Sequence, residues 1–113
     1  MNYRLVPIVK GLLTLVPGLR ETFSRARTGG TDTAEYCYEV WLKHLTMAWE
    51  HGLEDVPRTL AELGPGDSIG TGLAAMLSGV DRYIGLDVVP YSHTGSNIRI
   101  FDELVGLFRA RAP

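Results

Sequence analysis

The sequence predicts an α/β fold in which helical segments are followed by a β-α-β-α piece with an incomplete sheet. Three observations predict it. An amphipathic helical pattern runs from Tyr36 to Trp49, two short apolar runs end at Leu63 and Val89, and a glycine-rich turn with a helical pattern lies between those runs. At 113 residues the chain has room for one domain, and its 45% apolar and 21% charged composition is that of a globular protein rather than a disordered one.

The elements follow in order. Leu5, Ile8, Leu12, Leu15 and Leu19 share one helical face, and Pro7, Gly11 and Pro17 limit them to a short or broken helix. Gly29 and Gly30 make a loop, after which Asp32 and Glu35 have the spacing of a capping box, with Asp32 as the cap. The helix then carries Tyr36, Val40, Trp41, Leu45, Ala48 and Trp49 at helical intervals, and Gly52 ends it. Pro57 closes a turn, and Arg58–Leu63 reads as a buried strand. A helix is expected over Ser68–Ser78, with Ile69, Leu73, Met76 and Leu77 inward and Gly79 as the stop. A second strand is expected over Arg82–Val89, and then a loop over Pro90–Ser96. Asn97 is expected to cap a last helix that buries Ile98, Phe101, Leu104, Val105 and Phe108.

Composition excludes several classes. One cysteine, Cys37, cannot form an internal disulfide or build a zinc site, so it reads as a small buried hydrophobe in a chain of the cytoplasm. His44, His51 and His93 have no ligand spacing with it or with one another, so no metal is expected. No apolar run is long enough to span a membrane, and Leu5–Val16 is followed by no small-x-small cleavage pattern of a secretory signal. Arg4, Lys10, Arg20, Arg25 and Arg27 make the start basic and the rest acidic. They lack the interleaved aromatic residues of single-strand binders, and no nucleic acid is expected.

The chemistry concentrates where strand, glycine loop, helix and second strand form a βαβ unit. In such a unit the ligand lies beyond the carboxyl ends of the strands. Gly64, Pro65, Gly66, Asp67 and Ser68 occupy the loop after the first strand, and Asp87 closes the second. Gly64 and Gly66 let a ligand approach the backbone, the helix beginning near Ser68 offers free amides, and the Asp87 carboxylate can accept from both hydroxyls of a ribose. Glu62, two residues before Gly64, ends a largely apolar strand. A carboxylate there needs donors such as loop amides or a ligand ammonium group.

The run Leu60-Ala-Glu62-Leu-Gly64-Pro-Gly66-Asp-Ser68, with Asp87 closing the next strand, resembles the first two motifs of the class I S-adenosylmethionine-dependent methyltransferases. The match covers Leu60 to Val89. The resemblance implies that Glu62, Gly64 and Gly66 hold the methionine end of S-adenosylmethionine and that Asp87 holds its ribose. It also implies that Pro65, Asp67 and Ser68 lie beside the cofactor and that Val88 packs on adenine. It further implies a partial Rossmann-like fold, with residues 1–57 as a helical cap and residues 58–113 as the first half of the cofactor domain. The later strands that would face a small-molecule methyl acceptor are not in the sequence. The site is therefore expected to be a half-site, with no catalytic residue assigned, and the chain to read as a truncated form. Tyr36 and Tyr38 are placed by the resemblance on a helix that can lid the cofactor, or else in the core. Tyr91 and His93 lie near adenine or in a surface loop.

Two alternatives stay open. One is an NAD(P)-binding βαβ unit, although the glycine at position 70 is one residue off the dinucleotide pattern and Asp67 would meet a pyrophosphate. The other is a non-catalytic remnant that forms a homo-oligomer through its open sheet edge, or by burying Trp41, Trp49 and Phe108 between chains.

Overall fold

The computed structural model describes residues 30–111, so the Leu5–Leu19 stripe and the basic segment to Arg27 lie outside the described residues. The fold is α/β, with α1 (Ala34–Glu50), β1 (Thr59–Leu63), α2 (Gly70–Leu77), β2 (Arg82–Leu86) and α3 (Thr94–Ala110). The strands pair in parallel, with Leu60 opposite Tyr83, Glu62 opposite Gly85 and Leu63 opposite Leu86. A parallel pair needs a crossover, and α2 supplies it. It packs against both strands, α1 and α3.

Helix α1 begins one residue later than the capping box places it. Thr33 is the cap, its hydroxyl accepting from the Tyr36 amide at 3.4 Å, while Asp32 is exposed. The inner face is Ala34, Cys37, Tyr38, Trp41 and Leu45. The Trp41 indole donates to Ser78 Oγ at 2.7 Å, which satisfies a polar atom that burial would otherwise leave stranded. Trp41 is thus internal and cannot serve as an intermolecular contact; Trp49 is exposed, and Phe108 is half-buried edge-on against Tyr38 at 5.0 Å.

Helix α2 is shorter than expected, and although Leu73 and Leu77 pack against the core as expected, small residues are innermost. Gly70, Thr71, Gly72, Ala74 and Ala75 face inward, whereas Met76 is exposed and Ile69, Leu73 and Leu77 are half-buried. The cause is close approach. A Cβ on Gly70 would lie 2.4 Å from Cys37 Sγ, and one on Gly72 would lie 2.3 Å from the Tyr83 ring, so small residues set the contact rather than large apolar ones.

Helix α3 begins after His93 rather than at Asn97. Asn97 instead shares the inner face with Ile100 and Leu104, and its Oδ1 accepts from the Ile69 amide at 3.1 Å. That hydrogen bond selects the face. Ile98 and Phe101, expected inside, are exposed; Val105 and Phe108 are half-buried, and Leu104 is buried as expected. Full burial of Ile100 and Leu104 stabilises the fold by roughly 1.5–3 kcal/mol each.

Among the described residues only one face of the sheet is covered, which corrects the expectation of a buried first strand. Leu60, Glu62 and Tyr83 turn toward the helices, and Leu63, Ile84 and Leu86 are exposed on the opposite face. Strand β2 ends at Leu86 instead of Val89 because the Asp87 carboxylate accepts from the amides of Val88 at 2.7 Å and Val89 at 3.3 Å, turning the chain out of the ladder. Among the described residues no helix is long and apolar enough to cross a membrane.

Candidate functional site

The carboxyl ends of β1 and β2 lie side by side, and the Gly64 amide extends their pairing by donating to Leu86 O at 2.7 Å. The chain then turns through Gly64 and Gly66, whose φ values of 71° and 79° belong to the left-handed region that favours glycine. A Cβ on Gly64 would meet none of the described residues within 4 Å, so the backbone there faces open space among them.

Asp87 closes this turn from the neighbouring strand. Its Oδ2 accepts from the Gly66 amide at 3.1 Å, and that hydrogen bond, with those from Val89 and Val88, holds its carboxyl below the usual carboxylate range. Asp87 and Val88 are both exposed, and Asp67 is half-buried. Glu62 is half-buried on the helical face of β1, where its Oε2 accepts from the Tyr83 hydroxyl at 2.7 Å. Glu62, Gly64, Gly66, Asp87 and Val88 are therefore grouped at one end of the sheet.

Beneath the loop lies a polar floor that the sequence did not announce. Thr31 Oγ1 donates to Pro65 O at 2.9 Å and accepts from the Ser68 amide at 3.4 Å. Ser68 Oγ donates to Thr31 O and accepts from the Gly70 amide at 3.0 Å. Pro65 and Ser68 are thus turned into the protein, with Ser68 only 1% exposed. The Cys37 thiol lies beside them, donating to Thr31 O at 3.6 Å, and burial pushes its pKa up. The amides expected to be free at the start of α2 are engaged: Ser68 by Thr31, Ile69 by Asn97 and Gly70 by Ser68. An anion such as a pyrophosphate would have to displace those side chains.

Thr31, Tyr83 and Asn97 are the contributors that the sequence reading missed. For Tyr83 a signal existed. Gly85 stands opposite Glu62 in the parallel register and leaves that face open to a ring placed two residues earlier. Thr31 and Asn97 act across 34 and 28 residues of sequence, and no local pattern marks them.

Tyr36 is exposed beside Gly30, Tyr38 is in the core, and Tyr91 is half-buried after β2. His44, His51 and His93 are exposed, and among the described residues no three His, Cys, Asp or Glu side chains gather as metal ligands. No protein-family model, curated protein or solved structure matches the chain.

Proposed function

We propose that this chain binds S-adenosylmethionine as the cofactor-binding part of a methyltransferase acting on a small molecule, through a Rossmann-like βαβ unit. One observation carries the reading. Two carboxylates, Glu62 and Asp87, close adjacent parallel strands beside the glycine turn, and no cationic side chain among the described residues pairs with either. The half-buried charge of Glu62, which no cation among the described residues meets, favours a ligand that brings one.

The donor set fits the cofactor. Glu62 would receive its ammonium group, Asp87 its ribose hydroxyls and Val88 its adenine, while the open space at Gly64 admits it against the backbone. Bound S-adenosylmethionine supplies a methyl group on a positively charged sulfur. The chain's own contribution is to hold and orient it. NAD(P) fits less well, because its pyrophosphate would meet Asp67 and helix amides that side chains already occupy.

The test is an NMR titration of the isotopically labelled chain with S-adenosylhomocysteine, with NAD in parallel. Amide shifts centred on Glu62–Ser68 and Asp87–Val89 with the first ligand alone are expected. Silence from that ligand, or the same shifts from NAD, overturns the reading.

A separate observation favours a second, compatible reading. Leu63, Ile84 and Leu86 leave one sheet face apolar and exposed, whereas parallel sheets are ordinarily covered on both faces. We infer that a second copy of the chain covers it. Sedimentation should then show a dimer that Leu86→Glu dissociates, and a monomer at every concentration overturns it.

A further inference from the structure

The Tyr83 ring is fixed from two sides. A Cβ on Gly72 of α2 would lie 2.3–2.4 Å from three of its ring carbons, and one on Gly85 of β2 would lie 3.0 Å from its hydroxyl. The ring therefore lies where both neighbours lack side chains. Its hydroxyl is carried to Glu62, one register step along the same face of the sheet.

The consequence for Glu62 is specific. Oε2 is taken by the phenol at 2.7 Å, while Oε1 accepts no hydrogen bond from the described residues and is not sealed from solvent. A phenol is a neutral donor, so it orients the carboxylate without cancelling its charge, which an arginine or lysine in the same place would do. Burial first, and then the hydrogen bond and the negative charge of Glu62, push the phenol well above its usual pKa, so it remains the donor throughout the working range.

We propose that Tyr83 is a positioning residue: its hydroxyl anchors Oε2 of Glu62 so that Oε1 is held ready for the ammonium group of an amino-acid-bearing ligand. This rests on the cofactor reading above. It adds that the strength and selectivity of the site for the amino-acid end depend on Tyr83, whereas recognition of the adenosine end does not.

Two ligands separate those ends. S-adenosylhomocysteine carries both, and 5′-methylthioadenosine carries the adenosine without the amino acid. Calorimetric titration of Tyr83→Phe, which keeps the ring between the two glycines, is expected to show roughly tenfold weaker S-adenosylhomocysteine binding, the scale of one hydrogen bond to a charged group. Binding of 5′-methylthioadenosine is expected to stay within about twofold, the usual reach of a change far from the contact. Glu62→Gln should weaken the first ligand at least as much. Adding Tyr83→Phe to Glu62→Gln should then do little more, because the tyrosine acts through the carboxylate. Equal losses for both ligands, no loss for either, or full additivity in the double variant overturns the proposal while leaving the cofactor reading intact. If the unaltered chain binds neither ligand, the cofactor reading falls, and this inference with it.

Discussion

The Gly66 amide donates to Oδ2 of Asp87 across 3.1 Å, tying the turn after β1 to the end of β2. The same carboxylate accepts from Val88 and Val89 through Oδ1, so one exposed side chain organises both rims of the site. The Gly66 hydrogen bond is the largest cause of its lowered pKa. A carboxyl with a depressed folded-state pKa contributes stability above the unfolded value of about 3.9, and that contribution is lost as pH falls through the folded value. Titration followed at the Asp87 carboxyl carbon should give a midpoint below that of a free aspartate, with the Gly66 amide shift tracking it. In Asp87→Asn the Gly66 amide should lose this acid transition. A transition that persists there would assign it to another group.

Thr31 holds the underside of the same turn with both a donor and an acceptor contact, to Pro65 O and the Ser68 amide. Thr31→Val keeps the shape and removes both. Leaving two buried backbone groups without partners should lower unfolding stability by about 1–3 kcal/mol in a urea titration. The Ser68 amide should also exchange with deuterium faster than in the parent chain. Unchanged exchange would mean that the loop keeps its form without Thr31.

The parts legible in the sequence were those encoded locally. The Gly64-Pro65-Gly66 turn marked the end of β1, and the helical spacing of Trp41 and Leu45 marked α1. The parts not legible depend on approach between distant segments. Glycine is a weak helix former in isolation, and only the presence of Cys37 and Tyr83 above Gly70 and Gly72 explains why α2 turns its small residues inward. Asn97 read as a helix cap because that is its commonest local use, and in the fold its carbonyl oxygen serves the amide of Ile69 on another element. The pairing of Glu62 with Tyr83 needs the strand register, which sequence alone does not fix.

Gly72 offers a direct check on that packing. Its added Cβ would press on ring carbons backed by the strand, not on the end of a flexible chain. Gly72→Ala should therefore destabilise the protein by about 1–3 kcal/mol despite alanine's better helix propensity. Tyr83→Phe should not relieve the strain, because the ring remains, whereas Tyr83→Val should relieve most of it. Denaturant midpoints of the single and double variants measure this directly. A neutral Gly72→Ala would show that the helix and strand can move apart freely.

Cys37 reports on the same region from inside. Its thiol is fully buried, and burial is the largest cause of its raised pKa, ahead of the opposing hydrogen bonds from Ser68 and Thr71. In the unfolded chain a thiol ionises near about 8.5, while the folded chain keeps the proton to higher pH. The unfolded state then binds fewer protons, so the contribution is present below the unfolded pKa and is lost as pH rises through the folded one. Tyr83, also raised, adds an alkaline slope of the same sign. Comparing the parent with Cys37→Ala separates the two: the variant should lose the part of the slope that begins near the thiol's ordinary pKa and keep the later part. Native Cys37 should also react slowly with a disulfide reagent at neutral pH, since the thiolate is scarce and the sulfur is covered. Thr31→Val should speed that reaction if the floor of the glycine turn is what shields the thiol. Rapid, stoichiometric labelling of the parent chain would overturn the buried placement of Cys37 and, with it, the account of why Gly70 must be glycine.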